Sequence, residues 1–299
     1  MTFRRILVDL DATAAAHPAV DRALELARRC GASVKLVDVM SVPASARSYL
    51  SGETEQMVAG ARRERLASLA KAITDVPVEH ELLTGRPAPA IVDETVKGDF
   101  DLVVRSHARD LAAEPRTLGA IDMQLFRSCP STVWAVGPGA QQAPRKVVAA
   151  IHANPGDDEE QQLNARIITA AAEMAPEGGL IVFQAWEAFA ADMLRSRYSD
   201  EEFTGYVKAA ADAARADVDA LLKTVGLPAG TRIELREGTP EEVLPAYVVS
   251  EGIDLVVMGT IARTGIAGLI MGNTAERLLQ RLTCSVMAVK PEGFHPPVA

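Results

Sequence analysis

The stretch GIDLVVMGTIARTGIAGLIMGNTAERLLQRLTCSVMAVKP, residues 252–291, decides the predicted fold. It reads as a buried strand, a loop, an amphipathic helix and a second buried strand, because short apolar runs flank a helical pattern. Glycines allow the loop backbone to approach a ligand closely, and the helix start at Gly272-Asn273-Thr274 presents free N–H groups and a partial positive charge. The stretch therefore predicts a turn that can bind an anion such as a phosphate.

The same alternation of strands and helices fills the rest of the chain. In the first half, predicted strands at residues 6–10, 33–39, 78–83, 101–105 and 132–136 alternate with helices at 18–30, 53–74, 87–97 and 119–128. Continuous apolar runs such as LVV are typical of parallel strands that are covered on both faces. The predicted fold class is therefore α/β, with a doubly wound, Rossmann-like parallel sheet.

The second half repeats the first. The phrase Gly85-Arg86-Pro87 returns as Gly238-Thr239-Pro240, and Gly119 returns as Gly272, each 153 residues later. Near the start the offset is 141, from Ile6 to Val147, so the second half carries about twelve extra residues, which we place in residues 186–206. A constant offset over more than fifty residues indicates a tandem duplication. We predict domains at residues 1–139 and 145–299, joined by a linker at 140–144.

Composition limits the classes of function. The chain has 299 residues and a net charge of −9, which argues against general binding of nucleic acid or of an anionic membrane. No apolar run is long enough for a signal peptide or a membrane span, so we expect a cytoplasmic protein. Three scattered cysteines, five histidines outside metal-binding spacings and the lack of a nucleophile motif predict no metal site and no catalytic residue.

The phrases ILVDLD, DLVVMGT, GNTAE and CSVMAVKP carry a family resemblance. The chain resembles the universal stress protein (UspA-like) superfamily in its tandem two-domain form, over nearly its whole length. The resemblance implies two five-stranded parallel sheets of order 3-2-1-4-5, of the adenine nucleotide alpha hydrolase-like type. It also implies a stress-response binding protein that can take ATP with magnesium, and it leaves weak ATP hydrolysis open.

Nucleotide-binding members of that family carry Gly-x2-Gly-x9-Gly-(Ser/Thr) after strand four, and the two halves keep this motif unevenly. In the second half Gly259 matches, Ala262 replaces the second glycine, and Gly272-Asn273 closes the motif. The resemblance implies a nucleotide site in this half, formed by nine residues: His152, Ala185, Gly259, Thr260, Ala262, Arg263, Gly272, Asn273 and Thr274.

The first half keeps less of the motif. Ser106, Arg109, Gly119 and Ala120 stand at its motif positions, so only one glycine survives. Its equivalent set of Asp11, Val39 and Gly119 is therefore not expected to bind a nucleotide. Family members that bind ATP have an acidic residue at the end of strand one. Asp11 matches this residue in the first half, whereas His152 replaces it in the second.

Each of these residues also has a purely structural interpretation. Gly259 and Gly272 can serve as turn or packing glycines, and Asn273 can cap the helix with Glu276 completing a capping box. Asp11 can hydrogen-bond its own turn, and His152 can be a satisfied polar group. The sequence leaves both interpretations open.

A second class of function also stays open. The segment from Trp186 to Tyr206 is rich in aromatic and methionine side chains, which can line a pocket for an apolar or lipid-like ligand between the domains. A scaffold without a ligand is the third alternative. The resemblance implies that the two domains pack as an intramolecular pseudo-dimer, and a homodimer of the whole chain is left open.

Overall fold

Buried apolar strands form the centre of each half of the computed structural model, which describes residues 3–46, 48–106, 118–137, 140, 142–227, 231–262 and 270–294. The chain divides into an N-terminal unit, residues 2–143, and a C-terminal unit, residues 144–294. Within these ranges both units alternate strands with helices. The predicted α/β fold class is confirmed.

The described residues of the N-terminal unit form five parallel strands in the order β3-β2-β1-β4-β5. The strands are β1 (Arg5–Asp9), β2 (Ser33–Met40), β3 (Val78–Thr84), β4 (Leu102–Ser106) and β5 (Thr132–Val136). The helices are α1 (Pro18–Cys30), α2 (Gly52–Ala72), α3 (Pro87–Lys97) and α4 (Ala120–Ser128). A short 3-10 helix covers Ala44–Ala46.

The C-terminal unit repeats this plan, with its main strands parallel in the order β8-β7-β6-β9-β12. Its strands are β6 (Val147–Ala150), β7 (Leu180–Trp186), β8 (Arg232–Glu237), β9 (Leu255–Gly259), β10 (Ile261–Ala262), β11 (Ile270–Met271) and β12 (Ser285–Val289). Its helices are α5 (Asp158–Met174), α6 (Ala191–Arg195), α7 (Asp200–Val225), α8 (Pro240–Glu251) and α9 (Asn273–Arg281).

Strand register gives an independent measure of the duplication. Ile6 pairs with Val34 and Leu102, whereas Val147 pairs with Leu180 and Leu255. The offset between equivalent residues is therefore 141 in the first strand, 146 in the second and 153 in the fourth. The third strand also follows 153, because Lys35 pairs with Glu79 and its counterpart Ile181 pairs with Arg232.

The extra residues of the second half are consequently not confined to residues 186–206, and that prediction is wrong in part. Five of them lie between the first and second strands, where α5 has 17 residues and α1 has 13. Seven lie between the second and third strands, where α7 has 26 residues and α2 has 21. Extending an existing helix adds residues without disturbing the sheet, which explains why sequence alignment alone misplaces them.

The glycine-bearing loop after β9 also differs from the prediction. It contains a short antiparallel ribbon in which Ile261 pairs with Met271 and Ala262 pairs with Ile270. The residues between the two ribbon strands, including Arg263, lie outside the described residues. The ribbon brings the end of β9 back to the start of α9, since the Gly272 N–H donates to the Thr260 carbonyl at 3.2 Å.

Candidate functional site

A cleft of about 450 Å³ opens at the carboxyl ends of β6, β7 and β9 in the C-terminal unit. Seven of the nine residues predicted for a nucleotide site line it: His152, Ala185, Gly259, Thr260, Gly272, Asn273 and Thr274. Ligands of open α/β sheets bind at this edge, because the loops after the strands leave a crevice there. The cleft is the candidate functional site of the described chain.

Apolar side chains that the sequence analysis did not select form most of the cleft wall. They come from the ends of the strands and from the inner faces of three helices: Ala150, Ile151, Leu163, Ile167, Phe183, Leu244, Met258, Ala275 and Leu278. Such a wall suits a flat or apolar part of a ligand, with polar groups at the rim fixing its orientation. The i, i+3, i+4, i+7 spacing of Glu160, Leu163, Asn164 and Ile167 is the sequence signal that could have found the α5 contribution.

Buried amide side chains fix the loop after β6. The Asn164 side chain accepts from the His152 N–H at 3.3 Å and donates to the His152 carbonyl at 2.7 Å. Gln184 accepts from the Ala153 N–H at 2.7 Å, and both amides are almost fully buried. The backbone at this rim of the cleft is therefore held from both sides.

His152 itself lies at the rim with 70% of its side chain exposed. Its Nδ1 lies 2.8 Å from Oε1 of Glu160, and the Asn154 amide donates to Oε2 of Glu160 at 3.2 Å. Each carboxylate oxygen of Glu160 therefore has one side-chain contact at this rim. The structure thus shows His152 in contact with an acidic side chain that also lines the cleft.

Helix α9 begins on the opposite side of the cleft. Gly272 is its N-cap residue, and no side chain caps this helix. The predicted capping box at Asn273 and Glu276 is therefore wrong: Asn273 is the first helical residue. The Gly272 N–H donates to the Thr260 carbonyl. The helix therefore starts one residue earlier than the preference of Asn273 for the N-cap position suggests. The first turn of α9 faces the cleft through Asn273, Thr274 and Ala275.

A buried lysine lies behind this end of the cleft. Lys290, which follows β12, is only 1% exposed, and its ammonium donates to the Thr260 hydroxyl at 2.8 Å. The ammonium also lies 5.2 Å from the centre of the Phe294 ring. Because Thr260 lines the cleft, the Lys290 amino group lies close to the same wall as the start of α9.

Two of the nine predicted residues cannot be placed at the cleft. Ala262 belongs to the backbone pairing of β10 with β11, and its side chain is not described. Arg263 lies outside the described residues. Gly259 has a packing role beside its place in the cleft, because a Cβ there would lie 3.0 Å from Leu163.

The equivalent place in the N-terminal unit holds three charged side chains. Arg105 forms ion pairs with Asp9 at 3.5 Å and with Asp122 at 3.0 Å, and we name this group the ion triad. At least 88% of each side chain is buried, since their exposed fractions are 8%, 12% and 2%. By strand register and helix position, their equivalents in the C-terminal unit are three residues that line the cleft: Met258, Ala150 and Ala275.

Burial raises the pKa of Asp9 to about 6, although the neighbouring Arg105 acts to lower it. An unfolded aspartate titrates near pH 3.9, so the folded N-terminal unit binds more protons than the unfolded one between about pH 4 and pH 6. Its free energy of unfolding should therefore fall by up to about 3 kcal/mol as the pH rises through this window. Urea unfolding at pH 4.5 and pH 6.5 measures the slope. Asp9→Asn should flatten it, and an unchanged slope in that variant would contradict the assignment.

The other residues singled out in the first half have structural partners. Asp11 accepts from the Thr13 N–H at 2.8 Å and from its hydroxyl at 2.7 Å, and it pairs with Arg62 at 3.2 Å. Ser106 accepts from the Ala19 N–H at 3.1 Å. These contacts fit the structural interpretation of Asp11.

The remaining first-half positions lie at the end of β2 and the start of α4. Val39 occupies the β2 position equivalent to Ala185. Gly119 caps α4 and donates to Asp122 at 2.7 Å, and Ala120 is the first residue of that helix. Arg109 lies outside the described residues.

The segment from Trp186 to Tyr206 forms α6 and the start of α7, and it contributes no side chain to the cleft. Tyr206 donates to the Phe189 carbonyl at 2.6 Å, and the rings of Tyr198 and Tyr206 meet edge to face at 6.1 Å. Phe189 and Met193 are 85% and 62% exposed. The segment packs partly on itself, so it does not supply the wall of this cleft.

Metal and thiol chemistry receives no support from the described part of the chain. No group of three or more His, Cys, Asp or Glu side chains there is arranged to hold a metal ion. Burial raises the pKa of the Cys284 thiol to about 12, which keeps it protonated at neutral pH. Within the described ranges, no helix combines the length and the apolar character needed to cross a membrane.

Known proteins similar to this chain share both its length and its fold. Universal stress protein E of Escherichia coli K12 is 27% identical over 309 aligned residues, which cover 99% of this chain and 96% of that protein. A homologue in Haemophilus influenzae is 25% identical, with 97% and 98% covered.

Two solved structures have the same fold. A functionally unknown protein from Pseudomonas aeruginosa PAO1 superposes with a TM-score of 0.70 at 21% identity, covering 97% of this chain and 93% of that one. A universal stress protein from Archaeoglobus fulgidus gives a TM-score of 0.65 at 14% identity, with 97% and 99% covered. Residues 2–137 and 144–290 each match the model of the universal stress protein family. The chain belongs to the universal stress protein family, in tandem form.

Proposed function

We propose that this tandem universal stress protein binds one adenine nucleotide per chain, in the cleft of the C-terminal unit. The observation that carries the proposal is the combination of an apolar wall with a helix start on the opposite side of the same cleft. The wall accommodates a planar base, and the free N–H groups at the start of α9 suit a phosphate. The role that we propose for the cleft is ligand binding.

The order of the strands suggests how such a ligand lies. β7 carries Ala185 and Phe183 on one side, β6 leads to His152 in the middle, and β9 leads to Thr260 beside α9. A base over β7 would place the ribose over the end of β6 and the phosphates at Gly272, Asn273 and Thr274. The buried ammonium of Lys290 would add a favourable charge at the phosphate end.

One site per chain follows from the ion triad. In the N-terminal unit, Asp9, Arg105 and Asp122 occupy the positions whose counterparts line the cleft. A nucleotide there would have to displace a buried group of ion-paired side chains, which costs several kcal/mol. We therefore assign binding to the C-terminal unit alone.

A second candidate is an apolar ligand in this same cleft, favoured by the density of Leu, Ile, Phe and Met side chains on its wall. This candidate needs no phosphate and no contact with α9. It differs from the expectation of a pocket lined by residues 186–206, because those side chains do not line the cleft.

Titration of the purified chain with ATP and magnesium separates these candidates. We expect a stoichiometry of one, and a gain in folding free energy of about 2.7 kcal/mol when free ATP reaches a hundred times its Kd. Native mass spectrometry before and after denaturation shows whether a nucleotide or an apolar molecule copurifies. An empty protein whose melting temperature does not change in millimolar ATP would contradict the nucleotide proposal. An apolar molecule recovered by organic solvent would favour the second candidate.

A further inference from the structure

We propose that Glu160 supplies the carboxylate that receives the ribose hydroxyls of the bound nucleotide; this inference rests on the proposed function. The end of the first strand carries an acidic residue in the N-terminal unit, Asp11, but carries His152 in the C-terminal unit. Glu160 restores an acidic group at that place from the neighbouring helix, and it lines the cleft.

The carboxylate of Glu160 is held in place by two contacts, and it can accept further hydrogen bonds. Oε1 receives one contact from His152 and Oε2 receives one from Asn154, at 2.8 and 3.2 Å. A carboxylate has about four acceptor positions, so about two remain for a ligand. The side chain is 28% exposed, which leaves these positions accessible from the cleft.

Neighbouring side chains make the structural hydrogen bonds around Glu160, so its carboxylate is not needed for them. Asp157 is the N-cap of α5 and accepts from the N–H groups of Glu159 and Glu160 at 3.1 and 3.0 Å. Helix capping therefore does not require the Glu160 carboxylate. The Asn164 side chain hydrogen-bonds the His152 backbone, and it thereby fixes the histidine that contacts Glu160. A preorganised acceptor of this kind loses little entropy when a ligand binds.

The N-terminal unit shows the opposite use of an acidic group. Asp11 is 58% exposed, and one of its oxygens already accepts from Thr13 and pairs with Arg62. That carboxylate stabilises its own loop. The two units therefore differ in which acidic side chain lies at this edge of the sheet.

The position of Glu160 relative to the strands indicates that it contacts the ribose of the proposed ligand. Glu160 lies in the first turn of α5, the helix that follows β6, and β6 lies between β7 and β9 in the sheet. The base would lie towards β7 and the phosphates towards β9 and α9. The hydroxyl groups between them are donors, which match a group that only accepts.

Binding of ATP and of 2′,3′-dideoxy-ATP to the wild-type chain and to Glu160→Gln tests this assignment by calorimetry. We expect the wild type to bind ATP about tenfold more tightly than the dideoxy compound, and Glu160→Gln to lose this preference by weakening ATP alone. Asp158→Asn is the matched control. It removes the same charge from the same first helical turn, at an exposed residue that does not line the cleft, and it should keep the preference.

The outcomes separate the two levels of the proposal. If the wild type binds neither nucleotide, the proposed function fails. If the wild type binds ATP and Glu160→Gln keeps the full preference for ATP over the dideoxy compound, Glu160 does not contact the ribose and this inference is overturned. Circular dichroism of each variant checks that the fold is retained.

Discussion

Replacing Arg105 by methionine alone should lower the free energy of unfolding of the N-terminal unit by about 3 to 5 kcal/mol. The substitution leaves Asp9 and Asp122 buried without the guanidinium that partly neutralises them. Isolated carboxylates in a low-dielectric interior are costly, and two of them near one another also repel. Arg105 contributes through this neutralisation, even though an intact buried ion pair is itself no large source of stability.

The triple variant Asp9→Ala, Arg105→Met and Asp122→Ala should recover most of that loss. It installs the three residues that stand at the equivalent positions of the C-terminal unit. Exchanging a buried charge group for apolar residues is often neutral or stabilising. A residual loss of about 1 kcal/mol is expected, because Asp122 also accepts from the Gly119 N–H at the start of α4.

The two tryptophans allow the N-terminal unit to be followed by itself. Trp134 lies buried in β5, and Trp186 ends β7 of the other unit. In a Trp186→Phe background, fluorescence during urea unfolding reports on the N-terminal unit. Arg28→Met is the control, because Arg28 pairs with Asp75 at the surface, and little change is expected. Equal destabilisation by the single and triple variants would show that the charges are not coupled.

Local sequence patterns were sufficient to predict the strands, the helices and the parallel arrangement. Apolar runs such as those of β9 and β12 are bounded by turn residues, and the repeat supports each assignment twice. The family resemblance, which rests on motifs that the sequence displays, also selected seven residues that line the cleft. These features depend on neighbours in the chain, which a single sequence displays directly.

Features that depend on distant contacts could not be predicted in the same way. Asp9, Arg105 and Asp122 are far apart in sequence, and only the folded chain brings them into contact. Glu160 follows two other acidic residues at the start of α5, and its place in the cleft depends on how that helix packs. The helix start at Gly272 agrees with the sequence, but the capping box at Asn273 and Glu276 does not form, because Gly272 is the N-cap and its N–H donates to the Thr260 carbonyl.

Gly272→Asp should weaken ATP binding by at least about tenfold while leaving the fold intact. An aspartate at this position places a negative charge where the proposal puts the phosphates, so ligand and side chain would repel. The same aspartate should stabilise α9 by about 0.5 kcal/mol, because it caps a helix that has no side-chain cap and interacts favourably with the helix dipole. Gly272 has φ of −67° and ψ of 144°, a conformation that aspartate adopts without strain. Binding and stability are therefore expected to change in opposite directions.

Gly272→Asn provides the neutral comparison, since asparagine has nearly the same size and caps a helix equally well. Calorimetric titration with ATP and urea unfolding of both variants give the two quantities. Loss of binding in the aspartate variant alone would support a phosphate at the start of α9, because only the charge differs. Equal loss in both variants would indicate that the glycine is needed for space. Retained binding in both would place the phosphates away from α9 and would contradict the proposed orientation of the nucleotide in the cleft.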